Sequence, residues 1–186
     1  MNQAEILLRV IDALEIVGIP YVLFGSFASN VYGIMRATLD ADIVIQTAHG
    51  QHTTLRTALL PEFSIDPQMQ FETVSGTVKT AVTHNATVFL IELFELSADP
   101  HDQARFARRQ KLPLENRDVY VLTPEDVLVT KLNWLQIANR GKDLADIKGV
   151  IAVQGDALDW PYIENWCEYH DSQRLLEKIR AELSQK

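Results

Sequence analysis

Cysteine is nearly absent from this chain: Cys167 is the only one among 186 residues, so an internal disulfide and a cysteine-based zinc cluster are both excluded. A reducing compartment follows as the expectation. Long apolar runs are missing too, and no uncharged stretch reaches the roughly 20 residues that a membrane-spanning helix needs. Residues 1–5 lack a basic region followed by an apolar core, which makes a cytoplasmic setting without membrane contact the expectation. Positive charge is scarce, with 17 Lys and Arg against 25 Asp and Glu and a net charge of -8. A long nucleic acid is therefore a poor partner on average, whereas a small phosphorylated molecule needs only a local cation or a bound metal.

What is present is an apolar fraction of 47%, enough for one full-sized core or for one domain with an extension. Ile6, Leu7, Val10, Ile11, Leu14 and Val17 recur at helical spacing ahead of Gly18 and Pro20. A short apolar strand over residues 21–24 meets Gly25-Ser26, a helix covers 27–32, and a second strand covers 40–45. Beyond it, a helix is expected at 53–60, strands at 71–74, 78–82 and 87–94, a helix at 102–109 and a strand at 119–122. Thr123-Pro124-Glu125-Asp126 then combines an N-cap, a first-turn proline and an early acid. That start signal opens a helix through Leu135, and further helices are expected at 142–153, 160–169 and 172–183. The fold class is α/β (α+β), a mixed sheet flanked by helices with a helical back half. The division falls at 1–112 and 113–186, with residues 113–117 as the best candidate joint, although one domain overall is equally consistent.

The chemistry concentrates in three places. Gly25-Ser26 at a strand end is a turn with a helix-capping serine, or an anion seat made of free backbone N–H groups and the Ser26 hydroxyl. Asp40 and Asp42 sit two apart on one strand, so both side chains leave the same face, about 7 Å apart at the backbone. Two such charges ahead of Ile43-Val44-Ile45 either repel each other unless a cation lies between them, or are a pair of solvated acids at a strand start, facing a loop. Magnesium, or manganese, suits a few carboxylates completed by water and phosphate oxygens. A third acid is expected on a neighbouring strand, and Glu92, among apolar residues 88–94, is either that acid or an outward-facing position on an edge strand. Glu95 is the rival, on the opposite strand face.

Phe24-Gly25-Ser26 followed by residues 36–42, Arg-Ala-Thr-Leu-Asp-Ala-Asp, resembles the signature of the nucleotidyltransferase (polymerase-beta-like) superfamily. With Arg36 and Thr38 just before the first aspartate, the spacing is most similar to its bacterial AbiEii-type toxin branch. The residues around Glu92, the segment from Pro124 to Lys131, and Lys142-Asp143-Leu144-Ala145-Asp146 extend the resemblance over roughly residues 20–150. It implies that Asp40, Asp42 and Glu92 are catalytic, with Asp40 and Asp42 holding two metal ions that bridge the triphosphate and Glu92 helping to hold the one near the acceptor hydroxyl. Gly25, Ser26, Arg36, Thr38, Lys131 and Asp143 would then contact or support a nucleoside triphosphate. The activity implied is transfer of a nucleoside monophosphate to a hydroxyl of a small molecule, a protein or an RNA end. An inactive binding or regulatory protein of a toxin–antitoxin pair is the alternative, and a metal-dependent phosphohydrolase the third reading. Two departures stand out: Glu92 replaces what is more often an aspartate, and the segment before Asp40 is short.

Other residues allow two readings each. Arg105, Arg108 and Arg109, with Lys111 beyond, form either a phosphate or RNA contact or a solvated helix face balanced by acids. Asp143 and Asp146 either support the site or are ordinary acids at a helix start. The five histidines are expected on loops, Trp134, Trp160 and Trp166 in the core of the helical half, and Cys167 as a buried apolar residue.

Overall fold

A computed structural model of the chain describes residues 2–184. Helix α1 (Gln3–Val17) starts at Asn2, whose side chain accepts from the Glu5 N–H while the Glu5 carboxylate accepts from the Asn2 N–H, each at 2.8 Å. This reciprocal cap satisfies two otherwise orphaned donors, and Ile6, Leu7, Val10, Ile11 and Leu14 form the buried stripe. Strand β1 (Tyr21–Phe24) runs directly into α2 (Gly25–Tyr32), and β2 is Asp40–Ile45. There follow α3 (Gln51–Leu59), β3 (Phe63–Ile65), β4 (Gln70–Glu72), β5 (Thr77–His84), β6 (Leu90–Glu95) and α4 (Pro100–Ala107). Strands β7 (Gln110–Leu114) and β8 (Arg117–Val121) form a hairpin, and α5 (Pro124–Ala138), α6 (Gly141–Gln154), α7 (Trp160–Tyr169) and α8 (Gln173–Ser184) complete the chain.

The strands lie in the order β3-β5-β6-β2-β1-β8-β7, with β4 also paired to β5. Pairing is mixed: β2 runs antiparallel to β1 and parallel to β6. Burial alternates along β2, where Ala41 and Ile43 are fully enclosed and Asp40 and Asp42 share the other face with Phe24 of β1. The Phe24 ring meets Trp134 of α5 edge-on at 5.7 Å, so α5 overlies the carboxylate face. Helices α2, α5 and α6 pack on one another, as do α1 and α3. No helix among the described residues is long and apolar enough to cross a membrane.

Several expectations are corrected by the packing. The helix after β1 begins at Gly25, two residues before the expected start, so Ser26 lies inside the first turn and caps nothing; Phe24 holds the N-cap position without a side-chain bond. The strand expected to start near residue 87 begins at Leu90, leaving Val88 exposed. Two strands escaped the sequence pattern. Strand β3 is only three residues long, and β7 carries Pro113, which is tolerated because β7 is the sheet's edge. Residues 113–117, the candidate joint, are the end of β7, a turn and the start of β8, so the sheet continues across that point. His84 and His101 are buried in β5 and α4, and are not loop residues.

The arginine cluster is tied to neighbouring groups, with Arg105 buried, Arg109 partly buried and Arg108 exposed. Arg105 is buried against Thr130 and Asp102 and lies over the Phe24 ring. Arg108 pairs with Asp126 and stacks on Tyr162 with its guanidinium 3.8 Å from the ring centre. Arg109 donates to the Phe106 carbonyl. Arg105 and Arg108 join this segment to α5 and α7, while Arg109 lies over the Phe106 and Tyr120 rings, so the three do not form one continuous basic surface.

Ile43, fully buried between Leu23 of β1 and Leu93 of β6, measures how central β2 is. Ile43→Ala is expected to lower the unfolding free energy by about 2–5 kcal/mol in urea titrations followed by circular dichroism. A loss of well under 1 kcal/mol would contradict the packing.

Candidate active site

The β1–α2 junction positions the first parts of the site. Gly25 has a φ of 61°, a left-handed conformation that favours glycine. A Cβ there would lie 1.9 Å from Asp42 Oδ2, so the absence of a side chain makes the space in which the Asp42 carboxylate sits. Phe24 and Asp42 are direct partners across β1 and β2. On the other side, Asp42 pairs with Glu92 across the parallel β2–β6 ladder, which brings the third acid to the same face. Glu95 faces elsewhere, accepting from Thr47 at 2.9 Å and contacting His52 at 3.1 Å.

Asp40, Asp42, Glu92, Ser26 and Lys131 line one cleft together with Glu72, Lys79, Trp134, Arg140 and Lys142. It encloses about 80 Å³, room for an ion and phosphate oxygens. Thr38 donates its hydroxyl to Asp40 Oδ1 at 2.5 Å and so orients that carboxylate. The Asp42 carboxylate has no hydrogen bond or ion pair among the described residues. Burial, then the charges of Asp40 and Glu92, push its pKa up to about 7, against the weaker pull of Lys131 and Lys142. Glu92 does have a partner: Lys79 Nζ is 2.6 Å from its Oε1. Among the described residues no group of three or more Asp, Glu, His or Cys side chains is assembled as a metal cage. The donor set nonetheless fits a divalent ion at Asp40 and Asp42, where a partly buried carboxylate without a partner among the described residues stands beside a second one.

Beneath the cleft lies a buried ionic network. Lys131, only 2% exposed, contacts Asp143 Oδ1 and Asp146 Oδ2, each at 2.9 Å. Arg36 grips Asp146 at 2.7 Å and donates to Ser26 Oγ at 2.6 Å, while Arg140 holds the other oxygen of Asp143 at 2.8 Å. Asp146 stays ionised, since its contacts with Arg36 and Lys131 outweigh the upward push of burial and hold its pKa below the usual carboxylate value. The residues expected to touch nucleotide therefore divide into two groups. Gly25 and Ser26 stand at the cleft, and Lys131 forms part of its wall with both aspartates engaged. Arg36, Thr38 and Asp143 do not line it: Arg36 and Asp143 belong to the supporting network and Thr38 acts through Asp40. Sequence reasoning missed Lys79, whose place depends on the register of β5 against β6. It also missed Arg140, one residue before α6, although Lys142 beside it was visible as part of a charged segment.

With this geometry in place, the fold can be compared with solved structures. The solution structure of the antibiotic-resistance factor ANT(2'')-Ia superimposes with a TM-score of 0.62 at 10% identity, covering 98% of this chain and 95% of that one. The crystal structure of ANT(2'')-Ia in complex with adenylyl-2''-tobramycin gives 0.63 at 10% identity over 94% and 99% of the two chains. An antigenic nucleotidyltransferase-like protein from Paracoccidioides brasiliensis gives 0.61 at 21% identity over 96% and 89%. No protein-family model matches the chain, and no curated protein matches it in sequence. At these identities the likeness establishes the fold: a nucleotidyltransferase-like mixed sheet flanked by helices.

The raised pKa of Asp42 gives a signed prediction. The folded chain holds a proton there up to about pH 7, whereas an unfolded aspartate releases it near pH 3.9. Stability linked to this proton is complete below the unfolded value and is lost as pH rises through the folded one. In metal-free buffer, Asp42→Asn should therefore stabilise the fold more at pH 8 than at pH 5, by on the order of 2 kcal/mol, read from paired thermal scans. An equal effect at both pH values would contradict the burial of this charge. Gly25→Ala, by contrast, should destabilise the fold by about 1–3 kcal/mol at either pH, since its methyl group meets the Asp42 carboxylate.

Proposed function

We propose that the chain is a metal-dependent nucleotidyltransferase, which transfers a nucleoside monophosphate from a nucleoside triphosphate to a hydroxyl acceptor. The observation that carries this reading is the Asp40–Asp42 pair. Two carboxylates share one strand face, one has no partner and a pKa raised to about 7, and a glycine makes room beside it. A protein without use for a cation there has no reason to bear that repulsion. The nucleotidyltransferase-like fold, and the complex of ANT(2'')-Ia with an adenylylated tobramycin, support the same activity.

In this reading Asp40 and Asp42 are the ligands of a divalent ion, Mg²⁺ or Mn²⁺, and Glu92 is the third acid of the cleft. The ion supplies charge compensation for the triphosphate and orients it. Thr38 fixes the Asp40 carboxylate. The first-turn N–H groups of α2 and the Ser26 hydroxyl, which lines the cleft, bind the outer phosphates at a helix N-terminus. Lys142, without an ion-pair partner among the described residues, adds positive charge at the cleft wall, and Lys131 adds field from below. Arg36, Asp143 and Asp146 hold Lys131 and Ser26 in place. The acceptor oxygen bonds the α-phosphorus as the bond to pyrophosphate breaks, and the hydroxyl proton passes to solvent water. Positioning and charge compensation provide most of the acceleration.

A second cavity of about 450 Å³ shares Val74 and Trp134 with the cleft and carries Ser97, Asp99, Asn133 and His170. Its size and its many hydrogen-bonding groups favour a small hydroxyl-bearing acceptor over an RNA end, in keeping with the net charge of -8. The narrower resemblance to the AbiEii-type branch, and with it a partner protein in a toxin–antitoxin pair, rests on the spacing from Arg36 to Asp42 and on the segments around Glu92, Lys131 and Asp143.

Calorimetric titration with a non-hydrolysable nucleoside triphosphate and Mg²⁺ is expected to show metal-dependent binding. The double variant Asp40→Asn, Asp42→Asn should weaken it at least tenfold. The native chain should release pyrophosphate when given NTP and an acceptor panel. Nucleotide binding without pyrophosphate across that panel would instead indicate a binding protein, and free phosphate a hydrolase.

A further inference from the structure

Four acids line the cleft, Asp40, Asp42, Glu72 and Glu92, and the Lys79 ammonium already stands at contact distance from the last of them. Ala81 of β5 is the partner of Glu92 across the antiparallel β5–β6 pair, and Lys79, two residues along, stands opposite Phe94 on the same face. A lysine reaches such a diagonal neighbour easily. Its ammonium lies 2.6 Å from Glu92 Oε1 and 5.6 Å from the centre of the Phe94 ring, so carboxylate and aromatic face hold it together. Both side chains of the pair are about four-fifths covered, at 21% and 18% exposure, which limits screening by solvent.

We propose, building on the metal-dependent reading above, that Lys79 is a resident cation of the cleft. Its ammonium takes the position against Glu92 that a second divalent ion would need, so the chain loads one ion, at Asp40 and Asp42, and not two. Of the four acids, Glu72 accepts from the Ser75 N–H at 2.6 Å and Glu92 is held by Lys79, which leaves Asp40 and Asp42 as the pair without a cation in contact. The other buried cations beside the site are already engaged, Lys131 by Asp143 and Asp146 and Arg36 by Asp146. They are not free to take over the role of Lys79. A divalent ion within a few ångströms of the ammonium meets twice the repulsion of a unit charge at the same distance. Lys79 must therefore leave Glu92 before a second ion can enter.

The test is a count of bound Mn²⁺ by electron paramagnetic resonance on the full chain, alone and with a non-hydrolysable nucleoside triphosphate. The native chain is expected to hold one ion in the ternary complex, as is Lys79→Arg. Lys79→Met frees Glu92 and is expected to hold two, and adding Glu92→Gln to it should return the count to one. Thermal unfolding gives a second reading: Mn²⁺ should raise the melting temperature of Lys79→Met more than that of the native chain. Two ions in the native complex, or one ion in Lys79→Met with its fold intact by circular dichroism, overturns the proposal while leaving the nucleotidyltransferase reading standing. Failure of the native chain and of Asp42→Asn alike to bind Mn²⁺ overturns both.

Discussion

The repulsion between Asp40 and Asp42 is the constraint around which the front of the molecule is organised. Both carboxylates leave the same face of a strand whose other face is fully buried, so neither can turn away without exposing Ala41 and Ile43. The surroundings ease the conflict unequally. Asp40 has the Thr38 hydroxyl, Glu92 has Lys79, and Asp42 has only open space beside Gly25. The proton affinity of Asp42 rises accordingly, and the position becomes one where a cation is welcome and an uncompensated charge is not.

Around this pair the chain uses buried ions as construction material. Lys131, Asp143, Asp146, Arg36 and Arg140 contact one another in a connected set, and most of these side chains are withdrawn from solvent. Such a set adds little net stability compared with apolar packing, because desolvation offsets much of the attraction. It does fix directions: with two acids on Lys131 and two partners on Arg36, few alternative arrangements satisfy every charge. A cleft wall built in this way is rigid at the place where phosphate oxygens would have to be met at set distances.

The parts of the site visible in the sequence were the local ones. The strand-glycine-serine step and the two-residue spacing of Asp40 and Asp42 follow from alternation along a strand, which needs no knowledge of the rest of the fold. Glu92 could be preferred to Glu95 by parity alone, and the register of β2 against β6 then places it beside Asp42. What stayed hidden depended on tertiary register or burial. Lys79 is one polar residue in an alternating stretch until β5 is paired with β6. Helical spacing put Arg105, Arg108 and Arg109 near one another, yet it does not reveal that Arg105 is enclosed against Thr130 or that Arg108 pairs with Asp126 and stacks on Tyr162. Strand β7, with a proline and a lysine in five residues, has little strand signal of its own and forms because β8 offers it a partner.

Arg36 and Asp146 are 110 positions apart in the chain, yet they hold each other beside Ser26. The tie means that the catalytic-looking loop and the late helices are not separable modules. A fragment ending before α6 would leave the Arg36 guanidinium and the Lys131 ammonium without their carboxylates, and the cleft wall would lose its shape along with its charge balance. The back half of the sequence is therefore part of the pocket itself, and insertions or fusions are better placed at its outer surface than between α5 and α6.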